Sequence, residues 1–142
     1  MRQAAESKSP QPPHSLIVSS DRLVAMVVGK LLVELGYTPL QVGTGTEAVR
    51  TLRSRSVDLM VASYEGSPIN GLALHDFLKE SSAHRAIPFV LMVKAETRSH
   101  LKSCRRQPPA MLVPPFGQVA LQHAIARAKD PTILDEGDLF EI

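Results

Sequence analysis

The chain has 142 residues, 44% of them hydrophobic, with no tryptophan, two tyrosines, four phenylalanines and a formal net charge of +2 at pH 7. That length suits one domain with an aliphatic core and excludes a fibre or a wholly disordered chain. So small a surplus of charge does not argue for nucleic acid. The single Cys104 offers no disulfide framework and suits a reducing, cytoplasmic setting, and no run approaches the ~20 apolar residues of a membrane span.

Residues 1–14, MRQAAESKSPQPPH, set three prolines among polar residues and are expected to form a flexible arm, since they offer little apolar surface to offset the cost of ordering. Residues 15–129 then alternate between strand and helix signals. SLIVSS (15–20) predicts a strand, and DRLVAMVVGKLLVELG a helix that Asp21 caps and Gly36 stops. TPLQV (38–42) predicts a second strand, GTGTEAVRTLRSR a turn and helix, and VDLMVAS (57–63) a buried strand. After the Gly66–Gly71 loop come a helix, LALHDFLKESS, the apolar IPFVLMV (87–93) and the polar helix AETRSHLKSC. AMLV (110–113) and FGQVALQHAIARAK (116–129) form the fifth pair, with Pro114 and Pro115 between them. Five such pairs with short connections imply a parallel sheet, right-handed crossovers and helices on both faces.

In the first helix, Val24, Val27, Val28, Leu31 and Leu35 form a stripe expected to face the sheet. Leu23, Met26 and Val33 form a second stripe flanking Lys30, either a partner or dimer face or part of a broad buried face. The run TRSHLKSCRRQPP carries Arg98, Lys102, Arg105 and Arg106, either a solvated face or a surface for an acidic partner or the chain's own acidic end. That end, residues 130–142, interleaves Asp135, Glu136, Asp138 and Glu141 with apolar residues and reads as a docking tail or a frayed terminus. The histidines at 14, 75, 84, 100 and 123 lack helical metal-site spacing and are read as surface residues; no metal site or cofactor is expected. GTGTEA lacks the lysine of a P-loop and the glycine spacing of a dinucleotide site, which leaves it a turn into a helix.

From Leu16 to Ala128 the segments LIVSSDRLVAMVVGKLLVELGY, GTGTEAVRTL, DLMVASYEGSPINGLAL, IPFVLMVKA and LVPPF resemble the receiver domain of two-component response regulators. The resemblance implies a flavodoxin-like, doubly wound sheet in the order 2-1-3-4-5. It also implies that the family's magnesium-binding acid pair corresponds to Ser19 and Ser20, and its phosphoacceptor to Ser63. The switch Thr or Ser and the lysine of the family become Lys94 and Pro114. Three neutral hydroxyls make a poor cage for a hard divalent ion, and a serine is a weak nucleophile without a base. Asp21, one residue past the acid pair, is either a helix cap or a metal ligand. The family's bond before proline at this place is usually cis, so the Val113–Pro114 or Pro114–Pro115 bond is expected to be cis, or else an ordinary trans turn.

The expectation is therefore a degenerate, pseudo-receiver domain. It would be no enzyme, and would work in signal transduction by phosphorylation-independent binding of a protein partner or a second copy of itself, without nucleic acid or membrane. The alternatives are a receiver-like protein modified at Ser63 by a separate kinase, or a hydrolase in which Lys94 serves Ser63 as base. Otherwise Lys94 is expected to reach into the pocket and hydrogen-bond carbonyls there.

Overall fold

Five strands and five helices alternate in a computed structural model that describes residues 11–105 and 107–133. In chain order they are β1 (His14–Val18), α1 (Arg22–Glu34), β2 (Thr38–Val42), α2 (Gly45–Ser54), β3 (Leu59–Ser63), α3 (Gly71–Glu80), β4 (Phe89–Met92), α4 (Ala95–Cys104), β5 (Ala110–Leu112) and α5 (Gln118–Lys129). β1 starts within the expected arm, because His14 and Asp58 exchange two hydrogen bonds of 2.8 Å each. Residues 1–10, Arg106 and residues 134–142 lie outside the described part, and with them most of the expected arm and tail.

All strands are parallel, in the order β2-β1-β3-β4-β5, which is the topology implied by the resemblance to receiver domains. Strand periodicity of two sends alternate residues to opposite faces, and each face has its own core. Leu16, Val18, Met60, Ala62, Phe89, Leu91 and Met111 meet Ala48 and Leu52 of α2, Leu74 and Leu78 of α3 and Leu101 of α4. Ile17, Leu59, Val61, Val90, Met92 and Leu112 meet Ala25, Val28 and Leu32 of α1 and Leu121, Ala124 and Ile125 of α5. Both faces being covered explains why the central strands read as unbroken apolar runs.

Local chemistry sets the helix ends. The Asp21 carboxylate accepts the Leu23 and Val24 N–H groups at 3.0 and 3.2 Å, so it is the cap of α1. Thr44 accepts the Glu47 N–H at 3.1 Å while Glu47 reaches back to the Gly43 N–H at 2.9 Å, closing a capping box on α2. Asn70 caps α3 through the Ala73 N–H at 2.8 Å. At the far end of α1, Gly36 takes a positive φ of 96°, and the Gly36 and Tyr37 N–H groups return to Val33 and Leu32, the Schellman arrangement that favours glycine.

The first helix departs from the expected stripe in one respect. Ala25, Val28 and Leu32 are its buried residues, whereas Val27 is 47% exposed. At 100° per residue Val27 lies on the flank, and small Ala25 lets the helix approach the sheet instead. Leu23, Met26 and Val33 are exposed, which decides against a broad buried face. The Pro114–Pro115 bond is cis, one of the two bonds expected to be so, and Ser67–Pro68 is cis as well, with no local signal in the chain.

Candidate functional site

Ser19 follows β1, Ser63 ends β3, Lys94 follows β4 and Pro114 follows β5, so the parallel sheet delivers all four to its carboxyl edge. In open α/β sheets that edge is where ligands and chemistry sit. Ser19 and Ser63 come together: Ser63 Oγ donates to Ser19 Oγ at 3.0 Å, and Ser19 Oγ also accepts the Asp21 N–H at 3.1 Å. Ser19 is only 4% exposed, whereas the neighbouring Ser20 is exposed, so the two consecutive hydroxyls serve different surroundings.

Lys94 does something other than expected. Its ammonium lies 3.3 Å from Glu65, with both side chains largely exposed, rather than bonding carbonyls in the pocket or serving Ser63 as a base. Register supplies the reason. Ser63 pairs with Met92 across β3 and β4, and Glu65 and Lys94 each lie two residues beyond that pair, so they leave the sheet level with one another. Glu65 was missed in the sequence, although this equal offset on adjacent strands was the available signal. An exposed pair of this kind contributes little to stability.

The donors fit a divalent ion poorly. Among the described residues no group of three or more His, Cys, Asp or Glu side chains could hold one. Asp21 is committed to backbone N–H groups and Glu65 to Lys94. The serine hydroxyls are uncharged, and a hard octahedral ion is held mainly by carboxylate and water oxygens.

The basic run also resolves differently from its appearance in sequence. Arg105 donates to Asp76 of α3 at 2.8 Å and is only partly exposed, so it ties α4 to α3 instead of standing free on an outer face. Arg98 and Lys102 lie on α4, and Arg106 falls outside the described residues. His75 corrects the reading of the histidines as surface groups. It is 7% exposed, with its ring edge-on to Phe89 at 5.2 Å between centroids and its Nδ1 3.2 Å from the Asp76 carboxylate. The inner stripe Gly71, Leu74, His75, Leu78 follows helical spacing and could have revealed it.

Burial holds the His75 imidazole below its ordinary pKa of 6.5; nearby Lys79 and Arg105 push the same way, and Asp76 opposes them. The unfolded chain then takes a proton near 6.5 that the folded chain refuses. This contribution to stability is complete above 6.5 and is lost as pH falls from there towards the lowered folded value. The urea midpoint should accordingly drop between pH 7.5 and 5, and in His75→Gln that slope should flatten; equal slopes in both proteins would exclude His75 as the cause.

No family model matches the chain. In sequence it is 29% identical over 97 residues to "Two-component response regulator ORR3" of Oryza sativa subsp. indica, covering 67% of this chain and 74% of that one. Among solved structures it resembles a sensor protein from Polaromonas sp. JS666, with a TM-score of 0.74 and 22% identity over 86% of this chain and 98% of the other. The signal receiver domain of a signal transduction histidine kinase from Syntrophus aciditrophicus superposes with a TM-score of 0.72 at 26% identity, over 87% and 95% of the two chains. A five-stranded parallel sheet in this order, with its candidate site on the carboxyl edge, has the receiver architecture. The chain therefore has the receiver-domain fold and is similar in sequence to a two-component response regulator. Among the described residues no helix is long and apolar enough to cross a membrane.

Proposed function

We propose that this receiver domain acts in two-component-type signal transduction, in the cytoplasm, by binding a protein and without accepting a phosphoryl group. The observation that carries the reading is the 3.0 Å hydrogen bond from Ser63 to Ser19, two hydroxyls where the family chemistry calls for carboxylates. Transfer to an acceptor here would need a cation to neutralise the developing charge and a nucleophile already charged or served by a base. Ser63 has neither, because its proton is directed to Ser19 and Lys94 is paired with Glu65. Without a covalent event, a change of state has to come from a ligand with unequal affinity for two conformations.

The binding half of the reading is supported by α1. Leu23, Met26 and Val33 are 65%, 62% and 57% exposed, and with Val27 they give an apolar surface that the domain's own core leaves uncovered. A separate protein or a second copy would fit such a face.

Amide NMR with magnesium and beryllofluoride tests the phosphoryl half. The Ser19, Ser20 and Ser63 resonances should stay in place at concentrations that saturate an acid-bearing receiver. Saturable shifts clustered at these residues would refute the proposal.

A further inference from the structure

At the opposite edge of the sheet from Ser63 lies a cleft of about 850 Å³. Phe89 and Ala110, the first residues of β4 and β5, line it, so it opens at the amino ends of the strands. Pockets for small organic ligands run from about 300 to about 1,000 Å³ and combine an apolar wall with a few convergent polar groups. This cleft has both. The Phe89 ring meets the His75 imidazole edge-on at 5.2 Å between centroids, and Pro108, Pro109 and Pro131 stand around them. Burial holds His75 below its ordinary pKa, so its ring is neutral at pH 7.5 and belongs to the apolar part of the wall.

The polar groups are cations from three elements: Lys79 in the last turn of α3, Arg105 at the end of α4 and Arg127 in the last turn of α5. The negative end of a helix favours a cation, which accounts for each of them singly but not for their meeting over one aromatic floor. Arg53, in the last turn of α2, is exposed and lies outside the cleft. Asp76, the carboxylate on the wall, is bound to Arg105 at 2.8 Å, so Lys79 and Arg127 meet no carboxylate among the described lining residues. Each cation is nonetheless held in place. Lys79 Nζ donates to the Arg85 carbonyl at 3.3 Å, and Arg127 Nε to the Ile133 carbonyl at 2.9 Å. A lysine has three donors and an arginine five, so one such tie leaves donors over. Cations fixed beforehand lose less freedom when a ligand arrives.

We propose that this cleft binds a small organic anion with a flat apolar body, the body against Phe89 and His75 and the acidic group toward Lys79 and Arg127. Carboxylate and phosphate share the chemistry required, charged acceptor oxygens for charge-assisted hydrogen bonds. A neutral body would leave the cations without their counter-charge, and a bare ion would leave the rings and prolines in water. A bound anion joins the ends of α3 and α5 across the first residues of β4 and β5. None of this depends on whether Ser63 accepts phosphate.

Amide NMR of the full chain at low salt, titrated with 2-naphthoate and with 2-naphthyl phosphate, tests the site. At least one of the two should shift the Lys79, Phe89, Ala110 and Ala128 amides saturably, with a dissociation constant below about 1 mM, and the tighter one identifies the acidic group. 2-Naphthol, the body without the charge, and acetate or inorganic phosphate, the charge without the body, should bind at least tenfold more weakly. Lys79→Met and Arg127→Met should each raise the dissociation constant about tenfold, equivalent to about 1.4 kcal/mol, while Arg53→Met leaves it unchanged. Lys79 is exposed at the end of its helix, so that variant keeps the fold even if Arg127→Met does not. The proposal falls if neither naphthyl anion gives saturable shifts at these amides, or if their affinity ignores Lys79→Met. It falls equally if 2-naphthol or the bare ions bind as well as the naphthyl anions. A polyglutamate peptide that shifts the same amides where both naphthyl anions fail would overturn it in favour of an acidic protein partner.

Discussion

Gly71→Ala should cost this domain about 3 kcal/mol, at the upper end of what overpacking does, out of a total stability typically of about 5–15 kcal/mol. Gly71 opens α3 and presses it against the end of β3, with its N–H bonded to the Tyr64 carbonyl at 2.9 Å. A Cβ there would run into the Ser63 carbonyl oxygen and stand 2.6 Å from Leu91 Cδ1. Leu91 is fully buried and has nowhere to swing, and the Ser63 carbonyl belongs to backbone at the end of a central strand. The strain therefore falls on the β3–α3 junction that holds Ser63 beside Ser19. Gly117→Ala makes the control, since an added Cβ meets nothing within 4 Å there, and its midpoint should move by less than about 0.5 kcal/mol. Urea unfolding of the two variants decides the matter. A loss below about 1 kcal/mol in Gly71→Ala would mean that the junction yields easily.

Placing acids at the strand ends should have a comparable effect of a different kind. In Ser19→Asp with Ser63→Asp, two carboxylates replace hydroxyls that touch at 3.0 Å, one of them 4% exposed. Like charges about 4 Å apart repel by about 4 kcal/mol at the effective dielectric of a protein surface. The variant should therefore lose several kcal/mol in the absence of divalent ions, less at low pH where one group takes a proton. Magnesium should return much of the loss, by about 2.7 kcal/mol when present at a hundred times its dissociation constant. The unmodified chain should show no such response. Thermal midpoints with and without magnesium read both outcomes, and an equal rise in the two proteins would show that the hydroxyl pair already serves a cation.

How far the site could be read from sequence varies residue by residue. Ser19, Ser63, Lys94 and Pro114 were located correctly along the strands, because a strand's end is marked locally by the change from apolar to polar residues. Asp21 was legible as a cap for the same reason, lying just before an amphipathic helix. Lys94 was assigned the wrong partner. Its position was clear, but nothing near it in the chain points to Glu65. His75 was misread because metal-site spacing was sought, while its place on the inner stripe of α3 went unused. Arg105 was grouped with its basic neighbours although its carboxylate lies 29 residues away, on another helix.

By itself the sequence determined the alternation of five strands and five helices, the Asp21 cap and Gly36 stop of the first helix, the parallel sheet and the apolar residues available to its two faces. These follow from periodicity and from hydrogen bonds a few residues long. Only the tertiary structure decided that Ser63 donates a hydrogen bond to Ser19, 44 residues distant, that Lys94 meets Glu65, and that Lys79, Arg105 and Arg127 share one cleft. Such pairings depend on strand register and on which helices the crossovers set side by side, and a difference of one residue in register reverses the face a strand side chain takes.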